Sequence, residues 1–301
     1  MTCVLAGSPL ISTRVNAVPS SSTPTTVARP LIPPNTEEFT ASDWIVDPVS
    51  PILDESIRTA RGVEWRVQRR GSATEVSNAK DSISIDGDWA LGIVTARGHR
   101  SGASADGTTL VLANARSRDR FAVVRAGKVA LLKFSGTFAI DAVSNDGRLL
   151  YLIETTDAEN ATYAVRKADL VTGKLIAGAV ENIDVDATGR VIKEDGDPKM
   201  RGKPLDRTPG PDGWIYTLYY SDSHPYVHAL DSAGGGPGLC FDLPNQWNAK
   251  AESLRLVVPG DTMTVESSGR PLARLLGTRV GTQPKIELIA KPSSHNRTKR
   301  R

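Results

Sequence analysis

Residues 207–231, RTPGPDGWIYTLYYSDSHPYVHALD, contain the pattern that decides the fold. An Asp-Gly turn leads into a strand dense with aromatic residues, and a polar turn then leads into a second apolar strand that ends at Asp231. Asp-Gly favours tight turns, because glycine accepts a positive φ and aspartate hydrogen-bonds the nearby backbone. The segment therefore predicts two neighbouring antiparallel strands.

The same pattern recurs along the chain. SADGTTLVLA begins at Ser104 and SNDGRLLYLI at Ser144, each with an Asp-Gly turn followed by apolar or β-branched residues. A weaker copy, SIDGDWALGI, begins at Ser84, and a decayed copy begins at Val257. Units of roughly 40–50 residues with about four short strands each are typical of β-propeller blades.

The strands within these units are apolar on both faces. Trp214–Tyr220 and Leu149–Ile153 do not alternate apolar with polar residues, as strands buried between two neighbouring layers need not. Pro51–Gly62 is the one modest helix candidate. We therefore predict an all-β protein, a β-propeller of about six or seven four-stranded blades.

Composition divides the chain into three parts. Residues 1–40 are predicted to be a disordered N-terminal segment with a Pro/Ser/Thr-rich linker, residues 41–290 the β-propeller, and residues 291–301 a basic tail. The net charge is +3, and the tail alone carries five basic and no acidic residues, which leaves −2 for the rest. A basic tail on an acidic body disfavours a duplex-binding face, so we expect no nucleic-acid partner.

Residues 104–243 resemble the bacterial WD-repeat-like β-propeller proteins, whose functions are largely uncharacterised. The likeness rests on Ser104–Leu110, on Ser144–Tyr151 with Tyr163–Gly173, and on Pro211–Tyr216 with His224–Asp231. The resemblance implies the propeller fold and supplies no catalytic residues.

His224 and His228 look like a metal-binding pair. On an extended strand, however, residues four apart are separated by about 13 Å, which one tetrahedral metal cannot bridge. We therefore predict no metal here. His224 is expected to precede a strand, and His228 to hydrogen-bond the backbone or an aspartate, with Asp231 as the plausible partner.

DVDATGRVIKEDGD, residues 184–197, is an acidic cluster whose first two aspartates, Asp184 and Asp186, have calcium-like spacing. No glutamate stands where a calcium loop needs its bidentate ligand, and Arg190 and Lys193 interleave the acids. We predict a solvated hairpin loop and no cofactor, with calcium at Asp184 and Asp186 as the alternative.

The sequence has no G-x-S-x-G nucleophile motif and only four histidines. Cys240 lies in an apolar run and is predicted to be buried, and Cys3 is the only other cysteine, so a cysteine-built zinc site is excluded. These observations favour a protein without catalytic residues. A triad assembled from distant residues stays open, which keeps a propeller hydrolase or lyase as an alternative.

Our functional prediction is a non-enzymatic scaffold that binds a protein or small ligand on the face where the propeller loops converge. We assign the polar insertion 181–206 and the loop 221–225 to that face. The candidate contacts are Arg207, Tyr220, Asp222, His224 and Tyr226. A second alternative is a sensor domain within a larger envelope-associated system.

We expect an extracytoplasmic protein, either secreted or associated with the cell envelope. The residues VLAGS, 4–8, resemble the end of a bacterial lipoprotein signal with Ser8 in place of the lipidated cysteine. No intact signal peptide is visible, and no apolar run reaches the ~18 residues of a membrane-spanning helix. A cytoplasmic location is the alternative.

Overall fold

The computed structural model describes residues 54–157, 162–186, 190–193, 199–210, 213–221, 224–259, 262–276 and 285–289. Within these ranges the chain forms strands and one 3₁₀ segment, and no α-helix occurs. The described part of the chain therefore holds no helix long and apolar enough to cross a membrane. The prediction of an all-β protein is confirmed.

The first three sheets follow the chain order. The first contains β1 (Asp54–Arg58), β2 (Glu64–Arg70), β3 (Ala73–Ser77) and β4 (Ser82–Asp86). Next come a short strand, β5 (Trp89–Ala90), and a separate hairpin of β6 (Gly92–Ile93) and β7 (Arg100–Ser101). The second sheet joins β5 to β8 (Thr109–Asn114), β9 (Ser117–Arg125) and β10 (Lys128–Lys133). The third contains β11 (Phe138–Val143), β12 (Leu149–Asp157), β13 (Thr162–Asp169) and β14 (Lys174–Ala179).

Three short strands then follow along the chain, namely β15 (Asn182–Val185), β16 (Val191–Lys193) and β17 (Lys199–Arg201). The fourth sheet contains β18 (Lys203–Pro209), β19 (Trp214–Tyr220), β20 (Pro225–Asp231) and β21 (Gly238–Asp242), and β15 and β16 continue it beyond β21. The remaining short strand, β17, pairs with β13 of the third sheet. The 3₁₀ segment Asn245–Ser253 leads to the fifth sheet, which contains β22 (Leu254–Val257), β23 (Met263–Ser267), β24 (Arg270–Leu276) and β25 (Lys285–Leu288).

Each sheet packs face to face on the next one along the chain, which is how the blades of a β-propeller are arranged. Four buried clusters make these contacts. They centre on Trp65 and Leu112 between sheets one and two, Phe121 and Ile140 between two and three, Tyr151 and Tyr219 between three and four, and Phe241 and Val265 between four and five. We therefore call the five sheets blades.

The middle blades are buried on both faces. In β19, Trp214, Tyr216 and Leu218 join the cluster shared with blade five, whereas Ile215 and Tyr219 join the cluster shared with blade three. The lack of alternation in this strand therefore has the predicted cause.

The two terminal blades differ from the middle blades, because each terminal blade has one apolar and one polar face. In β2 the buried Trp65 and Val67 face blade two, while Arg66 and Gln68 lie on the opposite face. In blade five, Leu256 and Val265 face blade four, and the opposite face carries charged residues that include Arg255, Glu266 and Arg274. No apolar cluster of the described residues joins blade five to blade one, and these residues form five of the predicted six or seven blades.

The prediction of a helix within Pro51–Gly62 is wrong, because Asp54–Arg58 forms β1. Glu55 and Ile57 turn inward while Ser56 and Arg58 are exposed, which is the two-residue period of a strand. Pairing with β2 along its whole length decides the conformation of this segment.

The Asp-Gly turns connect neighbouring blades. The Ser104 hydroxyl donates to Asp106 Oδ1 over 2.6 Å, and Gly107 has a φ of 75°, which a residue with a side chain rarely adopts. The Asp106 amide then donates to the Asn145 carbonyl in the next turn over 3.2 Å. The turn after Ser84 differs, because Ser84 lies within β4 and the Asp-Gly pair ends that strand.

Residues 91–101, which we call the central hairpin, lie among the first strands of the other blades. The Leu91 amide donates to Glu55 of β1 over 3.0 Å, and the Ser101 hydroxyl donates to the Asp141 carbonyl of β11 over 2.6 Å. The Ala96 amide donates to the Pro204 carbonyl of β18 over 2.9 Å. The hairpin thus bonds to blades one, three and four from the centre of the molecule.

A glycine at the base of the central hairpin should be irreplaceable. Gly102 has a φ of 131°, and a Cβ there would lie 2.4 Å from the Val111 carbonyl oxygen. We expect Gly102→Ala to lower the free energy of unfolding by about 3 kcal/mol or more, measured by urea denaturation. Gly71→Ala is the control, because Gly71 also has a positive φ but no atom within 4 Å of a built Cβ, and should cost about 1 kcal/mol. Equal losses would contradict the close approach.

Candidate functional site

The tip of the central hairpin carries two side chains that converge on one buried carboxylate. Arg97 Nη1 and His99 Nε2 lie 3.6 Å and 3.5 Å from Asp206 Oδ1. Asp206 follows an irregularity in the pairing of β18, and its side chain is only 8% exposed. Its second oxygen accepts the Leu256 amide of β22 over 2.8 Å, so Asp206 joins the hairpin tip to blades four and five.

The guanidinium of Arg97 also donates hydrogen bonds to two backbone carbonyl groups. Its Nη1 donates to the Leu205 carbonyl over 2.9 Å, and its Nη2 donates to the Glu252 carbonyl just before β22. Arg255 Nη1 donates to the same Glu252 oxygen over 2.8 Å. Two guanidinium groups therefore meet at one oxygen atom.

His99 is partly accessible, with 39% of its side chain exposed. Its Nδ1 lies 2.8 Å from the Thr95 hydroxyl, and both contacts of the ring are satisfied when Nε2 carries the proton. Burial lowers the pKa of His99 below its ordinary value; the Asp206 carboxylate opposes this shift, whereas Arg97, Arg207 and Arg255 add to it. Burial is therefore the main reason that the imidazole favours its neutral form.

A second buried ion pair lies deeper in the same region. Arg207 Nη1 contacts Asp141 Oδ1 at 2.6 Å and the Thr217 hydroxyl at 3.0 Å, and its Nη2 donates to the Asp141 carbonyl over 2.8 Å. Both side chains are almost fully buried. The pair joins blades three and four from the inside.

A third buried carboxylate, Glu55, completes the series on the side of blade one. Its Oε1 lies 3.3 Å from Arg100 Nη2 of the central hairpin, and burial raises its pKa, although Arg100 and the Leu91 amide oppose that rise. Glu55, Asp141 and Asp206 thus share one arrangement, a carboxylate on the first strand of a blade held by an arginine from another element.

The predicted contact residues have different positions. The Arg207 side chain is only 8% exposed and Tyr226 is buried, so neither offers a surface contact. Arg207 is held by Asp141, and the Tyr226 ring stacks on Tyr219 with centroids 5.0 Å apart while its hydroxyl donates to the Arg201 carbonyl. Sequence could not distinguish these residues from exposed ones, because their partners come from other strands.

Tyr220 ends β19, and Asp222 and His224 follow it in the connection to β20. Tyr220 is 37% exposed, and His224 Nε2 lies 2.8 Å from Asp242 Oδ1 at the end of β21. Asp222 lies outside the described residues. Of the predicted contacts, Tyr220 and His224 therefore share one end of blade four.

That end of blade four also carries the tip of the central hairpin. Tyr220 pairs with Lys203 at the start of β18, and Leu205, two residues further on, accepts the hydrogen bond from Arg97. We call this end of the blades, with residues 95–99, Tyr220, His224 and Arg255, the hairpin face; Arg255 belongs to it because it shares the Glu252 oxygen with Arg97. The sequence analysis named Tyr220 and His224 of this region as candidate contacts. It did not identify Arg97, Arg255 or the buried Asp206 beneath them.

We assigned the insertion 181–206 to the loop face, but its described strands lie along the outer parts of two blades. Its first strand, β15, adds to the edge of blade four parallel to β21, and β17 pairs with β13 of blade three. Val185 and Met200 are buried. The insertion therefore connects two blades along their outer parts, and its polarity reflects an exposed edge.

The acidic cluster at the start of the insertion forms a hairpin. Asp184 lies in β15, and the Asp186 carboxylate accepts the Arg190 amide over 3.0 Å and contacts the Arg190 guanidinium at 3.3 Å. No group of three metal-binding side chains occurs among the residues described by the structure. The calcium alternative at Asp184 and Asp186 gains no support from these contacts.

His228 has a different partner from the expected one. It is buried in β20, and its Nε2 lies 3.0 Å from Asn182 Oδ1 of β15, which secures the insertion to blade four. Asp231 instead accepts the amides of Ala233 and Gly234 in the following turn.

Cys240 is buried as predicted, and burial raises the pKa of its thiol. Cys3 lies outside the described residues.

The Asp141–Arg207 pair should behave as a coupled buried ion pair. Asp141→Leu leaves the guanidinium without its carboxylate, so we expect a loss of about 3–5 kcal/mol in the free energy of unfolding. Adding Arg207→Met removes the orphaned charge, and the double variant should be more stable than Asp141→Leu alone in urea denaturation. Additive losses from the two substitutions would contradict the pairing.

His228 should make the fold sensitive to acid. Burial lowers its pKa from 6.5 to about 4, so the unfolded chain binds more protons in this interval. The stability that the neutral ring contributes is present above pH 6.5 and is lost as the pH falls towards 4, by an amount on the order of 3 kcal/mol. His228→Gln should flatten the dependence of Tm on pH across this window, and an unchanged slope would exclude His228 as its source.

No protein-family model and no curated protein matches the chain. Among solved structures it is similar to Hsv2 from Kluyvelomyces marxianus, with 11% identity over 75% of this chain and 67% of that one and a TM-score of 0.38. The β-propeller domain of the Trilobed protease from Pyrococcus furiosus has 13% identity over 80% of this chain and 86% of its own, with a TM-score of 0.36. TolB from Acinetobacter baumannii has 15% identity and a TM-score of 0.31, and the match covers 64% of this chain and 46% of TolB. TM-scores and identities this low carry no conclusion about what the chain does.

Proposed function

We propose that this protein is a binding module whose ligand or protein partner contacts the hairpin face. The observation that carries the proposal is that the accessible His99 and the exposed Tyr220 lie on the same end of the blades. An exposed tyrosine offers a large apolar area and a hydroxyl together, which suits a contact surface. The paired strands beneath such residues fix their backbone, which lowers the ordering cost of binding.

The chemistry of the same region favours binding over catalysis. The hydroxyl beside His99 belongs to Thr95, which is only 4% exposed and whose oxygen also accepts the His99 amide over 3.3 Å. A hydroxyl held in this way within its own turn is poorly placed to attack a substrate. Asp141 and Arg207 are likewise occupied with each other.

The location outside the cytoplasm and the membership in a WD-repeat-like group remain parts of this proposal that rest on sequence. A protein partner in the cell envelope is the kind of partner they suggest. The same experiment can test the surface and the location, because partners can be captured separately from the envelope and soluble fractions of the source organism.

The test compares the wild-type chain with Tyr220→Ala and Leu131→Ala as capture baits. Leu131 is 63% exposed on β10, the outermost strand of blade two, and serves as a matched exposed apolar control. We expect a partner that is captured by wild type and Leu131→Ala and reduced about tenfold or more by Tyr220→Ala, as for a contact residue worth roughly 1.4 kcal/mol or more. Recovery from the envelope fraction supports the location. Equal capture by all three baits, or no capture at all, counts against the hairpin face.

A further inference from the structure

Arg255 differs from the other arginines around the centre in having no carboxylate of its own. Arg100 is paired with Glu55, and Arg207 with Asp141. The guanidinium of Arg255 is instead bonded to the carbonyl oxygens of Glu252 and Leu254, each over 2.8 Å, and it forms no ion pair with a carboxylate in the described part of the chain. Carbonyl dipoles orient the group without neutralising its charge.

A second cation lies beside it. Arg97 Nη2 donates to the same Glu252 oxygen, so the two guanidinium groups flank a single atom. The carboxylate nearest to Arg97 is that of Asp206, at 3.6 Å, and this carboxylate already accepts the Leu256 amide and faces His99. Like charges this close repel each other, and an anion placed against both would remove the repulsion.

His99 adds a titratable group to the two arginines. Arg97, Arg207 and Arg255 all act on the imidazole as positive charges, and Asp206 is the negative charge that acts against them. The Glu252 carboxylate acts on Arg97. The partly exposed ring therefore lies near three guanidinium groups and one carboxylate, and solvent can reach it.

We propose that Arg255, Arg97 and His99 bind an oxyanion, a carboxylate or phosphate group of a ligand held on the hairpin face. The guanidinium geometry suits both groups, because its N–H donors match two oxygens of a carboxylate or a phosphate. Asp206 is a positioning residue, since its buried carboxylate contacts both Arg97 and His99. This inference rests on the proposed binding function and names the chemistry of part of its ligand.

The test titrates the full-length ¹⁵N-labelled chain with inorganic phosphate and, separately, with acetate, at an ionic strength held constant with chloride. The Arg255 Nε–Hε signal and the His99 Hε1 signal are followed by NMR. A saturable shift of both signals with either anion supports the site and identifies the oxyanion that it prefers. The apparent pKa of His99 should rise when the anion is bound, because a nearby negative charge favours the imidazolium form.

Arg255→Gln should weaken anion binding about tenfold or more, as loss of a charge-assisted contact does. Arg58→Gln is the matched control, because Arg58 is an exposed arginine on blade one and its loss should leave the titration unchanged. Arg255→Lys keeps the charge but not the planar donors, so intermediate binding is expected and covers the case in which the glutamine variant fails to fold.

Absence of a saturable shift with both anions, or unchanged binding in Arg255→Gln and Arg255→Lys, would overturn the oxyanion site. The two proposals can fail separately. If the anion titration fails while Tyr220→Ala still loses its partner, the binding module stands without this chemistry. If the anion binds while no partner depends on Tyr220, the oxyanion site stands and the hairpin face as a protein contact does not.

Discussion

The structure depends on neutralising three carboxylates that lie on the first strands of its blades. Glu55, Asp141 and Asp206 are all buried, and a buried charge is tolerated only when it is paired and hydrogen-bonded. Arg100 and Arg97 of the central hairpin approach the first and the third of these, and Arg207 of β18 pairs with the second. The packing of the blades places these groups together, and the pairs in turn fix how the hairpin and the first strands lie relative to one another.

The features that could be predicted from the sequence are those determined by residues close together in the chain. The Asp-Gly turns and the strands apolar on both faces, such as β19, are set by neighbouring residues and by the layers on either side, so the pattern alone indicated blades. β1 was mistaken for a helix because only two of its residues turn inward and one of them, Glu55, is charged. The candidate site depends on contacts such as Arg97 to Glu252 and Leu256 to Asp206, which join distant parts of the chain, and nothing in ARGHRSG or PLDRTPG signals them. Arg207 was singled out as exposed and proved to be a buried member of the same region.

The insertion 181–206 illustrates why polarity is an unreliable sign of a loop. β15 follows a parallel path along β21, a connection that no repeat in the sequence could reveal. The buried contact between Asn182 and His228 belongs to that path, and the imidazole that looked like a metal ligand is used to fasten an added strand. A polar segment at the outer edge of a blade can thus be a strand, because one side of the edge faces water.

Blades one and five have polar outer faces, so the central hairpin, rather than apolar packing, connects these two blades. In a closed propeller every blade packs on two neighbours, whereas in linear repeat arrays the end repeats carry a polar outer face. Blades one and five resemble the end repeats in this respect, so the described blades are not linked by apolar packing between the last and the first. The central hairpin reaches both ends instead, through Glu55 on blade one and through Asp206 and the Glu252 carbonyl beside blade five. The proposed oxyanion lies against Arg97 and Arg255, where the hairpin meets blade five. A ligand bound there adds a contact at the junction that relies most on polar interactions, so binding and the cohesion of the blades are coupled through the same few residues.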